Sequence, residues 1–146
     1  MKMAKIKFYP QRCIGCRACE GACKQEHNLP VGVRWRVVTS NLSGDYPNLK
    51  KEYKSLACHH CTKPKCAEAC AVGAVTKDSI TGIVGINTDI CVGCRACVDT
   101  CPFRAMCFDE TKNKAEKCTL CKHRVQQGLL PACVQVCMGL ALEYEE

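Results

Sequence analysis

Residues 91–102 read Cys91-Val92-Gly93-Cys94-Arg95-Ala96-Cys97-Val98-Asp99-Thr100-Cys101-Pro102, four cysteines at the spacing C-x2-C-x2-C-x3-C. The same spacing occurs 78 residues earlier at Cys13, Cys16, Cys19 and Cys23, where Cys13-Ile14-Gly15-Cys16-Arg17-Ala18-Cys19 repeats the later stretch with one change, Ile14 for Val92. Two variants complete the set. Cys58, Cys61, Cys66 and Cys70 read C-x2-C-x4-C-x3-C, and Cys118, Cys121, Cys133 and Cys137 read C-x2-C-x11-C-x3-C, so only the middle gap lengthens. Four groups thus account for 16 of the 17 cysteines, and the displaced repeat points to duplication of a two-motif unit.

Three thiolates two residues apart let one tight loop reach three irons of a cube, and in paired clusters the fourth cysteine of each run serves the other cluster. Four such groups predict four 4Fe-4S clusters. Gly15 and Gly93 lie between the first two ligands of their runs, where positive φ is cheapest and a side chain is expected to crowd the inorganic sulfides. Two other uses of cysteine fit worse. Cysteine is about 12% of the chain, above the roughly 8–10% that marks disulfide scaffolds. However, Met1 to Arg12 lacks the apolar stretch of a secretory signal, so a reducing, cytoplasmic location is expected. Structural zinc uses separated C-x2-C pairs, and the third cysteine of C-x2-C-x2-C has no role at a tetrahedral ion.

The formal charge of +7 invites a nucleic-acid reading. Each oxidised cube with four thiolates carries about −2, so four of them bring the loaded protein to about −1. Arg17, Arg95, Lys63 and Lys65, inside the motifs, are therefore expected first to offset cluster charge, and no nucleic-acid partner is expected. With four thiolates at every cluster no iron is left open for substrate, and neither G-x-G-x-x-G nor G-x-x-x-x-G-K-[ST] occurs, so no catalytic residues are assigned. His59 and His60 lie between ligands of a motif that already has four thiolates. They are expected to pack or to hydrogen-bond cluster sulfur. Cys107 reads as a small apolar strand residue, and Trp35 as core or interface.

Organisation follows from how the motifs pair. Between Cys70 and Cys91, Ala74-Val75-Thr76 and Ile83-Val84-Gly85-Ile86 flank a polar turn, which predicts a short hairpin. Residues of about 54–110 are expected to form one two-cluster ferredoxin-like module. Residues of about 1–53 and 111–146 form an outer module around it, the whole an α+β unit of short strands and helical turns over 1–146. Ala4, Ile6 and Phe8 alternate with lysines, and Leu140, Leu142 and Tyr144 alternate with Ala141, Glu143 and Glu145, predicting strands at the two chain ends that pair with each other. A strand is predicted over Val33 to Thr39, loop over Asn41 to Pro47, and one or two helical turns between Lys122 and Pro131. The longest apolar run, Gly128 to Leu142, is too short to span a bilayer.

Cys58-His59-His60-Cys61, Asp89-Ile90-Cys91, Cys101-Pro102-Phe103 and above all Lys117-Cys118-Thr119-Leu120-Cys121-Lys122-His123-Arg124 with Pro131-Ala132-Cys133 resemble the iron-sulfur subunits of the dimethyl sulfoxide reductase family. Those are four-cluster proteins serving molybdenum- or tungsten-pterin enzymes. The resemblance spans nearly the whole chain and implies these ligand sets: Cys13, Cys16, Cys19 and Cys137 at site A; Cys118, Cys121, Cys133 and Cys23 at site B. It implies Cys58, Cys61, Cys66 and Cys101 at site C, and Cys91, Cys94, Cys97 and Cys70 at site D. Family members usually carry proline after the last cysteine of several motifs. Here Lys24, Ala71 and Met138 stand there and only Pro102 keeps it, which bears on turn rigidity and not on the ligands. The short C-terminus is similar to that of electron-transfer subunits of tungsten aldehyde oxidoreductases and of formate dehydrogenase or hydrogenase assemblies. The implied role is electron relay between a large pterin-binding catalytic subunit, with aldehyde or formate oxidation the leading expectation, and a second redox partner such as a ferredoxin, flavoprotein or hydrogenase module. A free-standing polyferredoxin is the alternative.

Overall fold

The computed structural model describes residues 4–145, in which short helices and two-stranded ribbons are strung between the cysteine runs. Alternation at the chain ends works as read. β1 (Lys5–Phe8) pairs antiparallel with β8 (Leu142–Glu145), Phe8 opposite Leu142 and Ile6 opposite Tyr144. Side chains of a strand alternate between faces, so Ile6, Phe8 and Leu142 turn to one core with Cys19, Val38 and Cys133. The other face carries Lys5 and Lys7 against Glu145, at 3.3 and 3.7 Å. Leu140 falls outside the strand at φ 49°, and Ala4 also precedes its strand.

β2 (Val37–Ser43) and β3 (Lys50–Leu56) form a hairpin. The strand predicted over Val33 to Thr39 begins four residues late and runs into the predicted loop. Only Val38 of β2 is deeply buried, so its polar end is held by ladder pairing with β3 and not by a core, a signal that hydrophobic alternation misses. The expected hairpin between Cys70 and Cys91 is present as β4 (Val75–Lys77) and β5 (Val84–Ile86). The fourth ribbon joins β6 (Met106–Asp109) to β7 (Lys114–Lys117), and its turn straddles the module boundary expected at residue 110. Val75, Val84, Cys97, Met106 and Ala115 make a second core from these two ribbons.

Helices are brief: α1 (Ala18–Glu26), α2 (Lys65–Glu68), α3 (Ala96–Thr100), α4 (Lys122–Val125) and α5 (Ala132–Gln135). Each begins within or beside a cysteine run. The predicted turns before Pro131 are α4, and α5 follows the proline, which suits a first helical turn because it has no N–H to leave unpaired. Among the described residues no helix is long and apolar enough to cross a membrane.

Candidate metal centres

All four runs use one backbone device. The residue two after the first cysteine takes a left-handed conformation in each: Gly15 (φ 70°), His60 (φ 47°), Gly93 (φ 73°) and Leu120 (φ 55°). That turn brings backbone N–H groups back over sulfur, with His60 N donating to Cys58 Sγ at 3.5 Å and Leu120 N to Cys118 Sγ at 3.4 Å. Glycine makes the conformation cheap in two runs, and side-chained residues carry it in the others. An added Cβ at Gly15 would run into the Tyr53 ring, and one at Gly93 into the Asn113 carbonyl.

A second device follows the last cysteine of three runs. Gly73 (φ 65°), Arg104 (φ 48°) and Leu140 (φ 49°) are left-handed, and the next residue is a buried alanine whose N–H meets the cysteine sulfur. The distances are 3.2 Å from Ala74 to Cys70, 3.5 Å from Ala105 to Cys101 and 3.2 Å from Ala141 to Cys137. The turn is the same whether proline (Pro102), alanine (Ala71) or methionine (Met138) follows the cysteine. In the first run α1 continues through Cys23, and the N–H of His27 bonds to the Cys23 carbonyl instead.

The cysteines gather across long stretches of chain. A cavity of about 340 Å³, counted to its open mouth, is lined by Cys13, Cys16, Cys19 and Cys137 with Phe8, Val38 and Leu142. Burial pushes the Cys23 thiol well up, and Cys118, Cys133 and Cys121 crowd it further. Burial also carries Cys118 to about 11, although Arg36 works against it. Cys97 is pushed up to about 11 by burial, then by Cys91, Cys70 and Cys94. Cys66 rises through burial and then Cys58, with Lys117 opposing and Cys101 adding. Cys19 rises through burial, with Arg36 and Ser55 opposing and Cys133 and Cys137 adding. At Cys91 burial acts upward, but N–H groups of Ala115 and Gly93 and the Lys114 ammonium outweigh it and the thiol moves down. Thiolates crowded into buried space repel one another, and a positive core among them relieves that. Among the described residues no three cysteine, histidine or acidic side chains converge as tightly as one ion requires, where sulfurs would sit about 4 Å apart. Cys13, Cys16, Cys19 and Cys137 instead surround a volume, as ligands to separate irons of a cube would.

Among the described residues two buried donors are left without a protein partner. His60 Nδ1 accepts the N–H of Val84 at 3.0 Å, which assigns the proton to Nε2, and that atom is buried and unpaired. Burial, reinforced by Lys117, lowers the His60 pKa to about 3, so the ring is neutral. The Trp35 indole N–H is likewise buried and unpaired, its ring 4.5 Å from that of His27, whose Nε2 lies 3.3 Å from Cys121 Sγ. Such donors fit sulfur-rich clusters, which accept hydrogen bonds where protein does not. His59 is exposed and packs against Phe103 at 4.4 Å. Cys107 lies on β6, packs beside Cys23, Leu29 and Val33, and donates to the Arg34 carbonyl at 2.6 Å.

The charges expected to offset the clusters are in other places. Arg17, Arg95, Lys63 and Lys65 are all exposed, and Arg95 pairs with Glu110 at 2.5 Å while stacking on Phe108. The cations that reach the interior are Arg36, 4% exposed, and Lys117, 3% exposed. Neither stands in a regular motif position that spacing could reveal, although Lys117 directly precedes Cys118.

Residues 49–146 match the 4Fe-4S dicluster domain, and residues 10–31 match the 4Fe-4S binding domain. The chain is similar to protein NrfC of Escherichia coli K12, 39% identical over 134 residues that cover 90% of this chain and 60% of that protein. It is 35% identical over 164 residues to a component of the selenate reductase of Mesobacillus selenatarsenatis, covering 90% of this sequence and 56% of the relative. It is 36% identical over 153 residues to a component of the anaerobic dimethyl sulfoxide reductase of Haemophilus influenzae, covering 99% and 74%. The chain thus spans 60% of the length of NrfC.

Proposed function

This chain therefore belongs to the 4Fe-4S dicluster domain family, among the iron-sulfur subunits of dimethyl sulfoxide reductase type, and we propose that it relays electrons through four 4Fe-4S clusters for a pterin-bound molybdenum or tungsten enzyme. The observation that carries this reading is the gathering of thiols from distant runs: Cys13, Cys16 and Cys19 line one cavity with Cys137, and Cys19 packs with Cys133. Site A would be held by Cys13, Cys16, Cys19 and Cys137; site B by Cys118, Cys121, Cys133 and Cys23. Site C would be held by Cys58, Cys61, Cys66 and Cys101, and site D by Cys91, Cys94, Cys97 and Cys70. When bound, the clusters supply one-electron redox chemistry.

The protein's own residues hold, order and screen these sites. Pairing of β1 with β8 brings the two termini together and favours an outer module nested around an inner one. Cys19 and Cys133 act on one another across A and B, and Lys117 acts on Cys118 of B and Cys66 of C, which favours a path running A, B, C, D. All four thiols of B are buried, whereas Cys16 of A and Cys94 of D are exposed. That distribution suits terminal sites that meet partners and an interior site that meets none. Exposed Ile14, Met138 and Leu140 surround the A end, and exposed Ile90 and Val92 flank the D end, apolar surface of the kind partners cover.

We propose a molybdenum- or tungsten-pterin catalytic subunit at one end and a ferredoxin, flavoprotein or hydrogenase-type partner at the other. Relatives carry the names of dimethyl sulfoxide and selenate reductases. Oxidation of an aldehyde or formate by the catalytic partner is the finer proposal. Anaerobic copurification with analysis for iron, molybdenum and tungsten tests the assignment: about 16 iron per chain and a metal-bearing large subunit are expected. Iron near 12 per chain after full reconstitution would refute the four-cluster relay. Replacing Cys137 by serine is expected to perturb the same EPR signal as replacing Cys13, and a change confined to the signal governed by Cys94 would refute the nested pairing.

A further inference from the structure

Burying an ionised side chain without a partner costs several kcal/mol, so a buried cation is informative about what surrounds it. Among the described residues neither Arg36 nor Lys117 has a carboxylate within ion-pairing distance. Arg36 Nη1 donates to Ser55 Oγ at 2.9 Å, and Ser55 Oγ lies 3.9 Å from Cys19 Sγ, so the guanidinium reaches site A through one hydroxyl. It also acts on Cys133, Cys118 and Cys23, three cysteines of site B. Lys117 Nζ donates to the Cys118 carbonyl at 2.9 Å, in the first loop of site B. Its strand partner Met106 packs in the core that holds Cys66 and Cys101 of site C together with Cys70, Cys91 and Cys97 of site D, and of these Cys66 is the thiol that Lys117 acts on. Each cation therefore acts on thiols of two sites, and among the described residues those thiols are the counter-charge it has.

We propose that Arg36 and Lys117 are the fixed counter-charges of the relay, Arg36 shared by sites A and B and Lys117 by sites B and C, each raising the reduction potentials of the two sites it touches. The inference rests on the four-cluster reading. A cluster becomes more negative by one charge on reduction, so a fixed cation stabilises the reduced form over the oxidised. In an interior of effective dielectric near 20 a unit charge within about 10 Å shifts the equilibrium by about tenfold or more. Site B lies beside both cations and takes both contributions, which makes it the easiest of the three to reduce, other things equal. The sharing also couples neighbours: an electron leaving A for B stays beside the same guanidinium, so the interaction with Arg36 changes little across that step.

The test uses the loaded protein and four variants, with iron content first and EPR-monitored potentiometry second. Iron near 16 per chain in the wild type is the control for the four-cluster reading, and its failure there is separate from failure of the charge assignment. Arg36→Met keeps a long side chain and removes the charge; two of the four midpoints are expected to fall, each by about tenfold in the reduction equilibrium, which is 59 mV for a one-electron couple. Lys117→Met is expected to lower two midpoints, one of them shared with Arg36→Met. Arg36→Lys and Lys117→Arg are expected to restore wild-type values. Cluster loss in the methionine variants that the charge-keeping variants repair also supports the assignment. Unchanged midpoints in fully loaded methionine variants would overturn it, as would cluster loss that the charge-keeping variants fail to repair.

Discussion

Gly139 is the position at which the smallest change separates the two ends of the chain. A Cβ there would press into the Arg12 carbonyl and come within 3.9 Å of Ile14 Cγ2, on the loop that begins the first cysteine run. Arg12 cannot give way cheaply. Its N–H is bonded to the Tyr9 carbonyl at 3.1 Å, Tyr9 N donates to the Ala141 carbonyl at 2.8 Å, and the Arg12 side chain pairs with Glu143 at 2.7 Å. The segment around Cys137 must therefore shift away from Cys13 and Cys16. Overpacking of this kind costs about 1–3 kcal/mol, a factor of roughly 5 to 150 in an equilibrium constant. Because binding of a metal centre is coupled to folding of its site, that cost falls on the cluster held by both segments. Gly139→Ala is expected to lose one cluster of four under limiting iron or mild chelation, read as iron falling from about 16 towards 12 per chain with loss of one EPR signal. Full iron retention with unchanged chelation kinetics would refute the claim that residues 10–16 and 137–141 build one site.

Gly21 is the converse case: it sits on α1 with nothing within 4 Å of an added Cβ, so Gly21→Ala is expected to raise stability by about 0.5–1 kcal/mol, read as a higher thermal midpoint with iron unchanged. Cys107→Ala removes the bond to the Arg34 carbonyl at a cost of about 1 kcal/mol and is expected to leave iron near 16. His60 has a folded pKa of about 3, below the ordinary 6.5, so the unfolded state takes up the extra proton between those values and stability falls as pH drops through that window. The contribution is full above about pH 6.5 and fades by at most about 1.4 kcal/mol per unit below it; His60→Gln is expected to flatten the anaerobic thermal-midpoint slope between pH 5 and 6.5, and an unaltered slope would refute a neutral buried ring. Iron-free protein is expected to give collapsed amide dispersion by NMR, since 16 thiols are committed to the sites.

The spacing of cysteines was legible because it is set by a local loop, and the end strands were legible because Ile6, Phe8 and Leu142 alternate with charged neighbours. What escaped was decided by tertiary surroundings. Lys50-Lys51-Glu52-Tyr53-Lys54-Ser55-Leu56 carries no strong apolar stripe, yet it is β3, and its Tyr53 and Ser55 turn inward beside Cys19 and Gly15. The left-handed residues of motifs two and four are His60 and Leu120, which no propensity argument selects. One missed signal was available: alanine stands four residues after Cys70, Cys101 and Cys137 alike, and that recurrence marks the amide-to-sulfur turn better than proline does. Its absence after Cys23 has a cause and a consequence. α1 runs on through residue 26, so the N–H four residues beyond Cys23 is spent on a helical bond, and this sulfur lacks the donor that its three counterparts have. The positive charge near Cys23 comes instead from Arg36, at the start of the β2–β3 insertion. An insertion that the spacing of motifs leaves unexplained thereby supplies what the first motif lacks, and it does so by crossing from one site to the next.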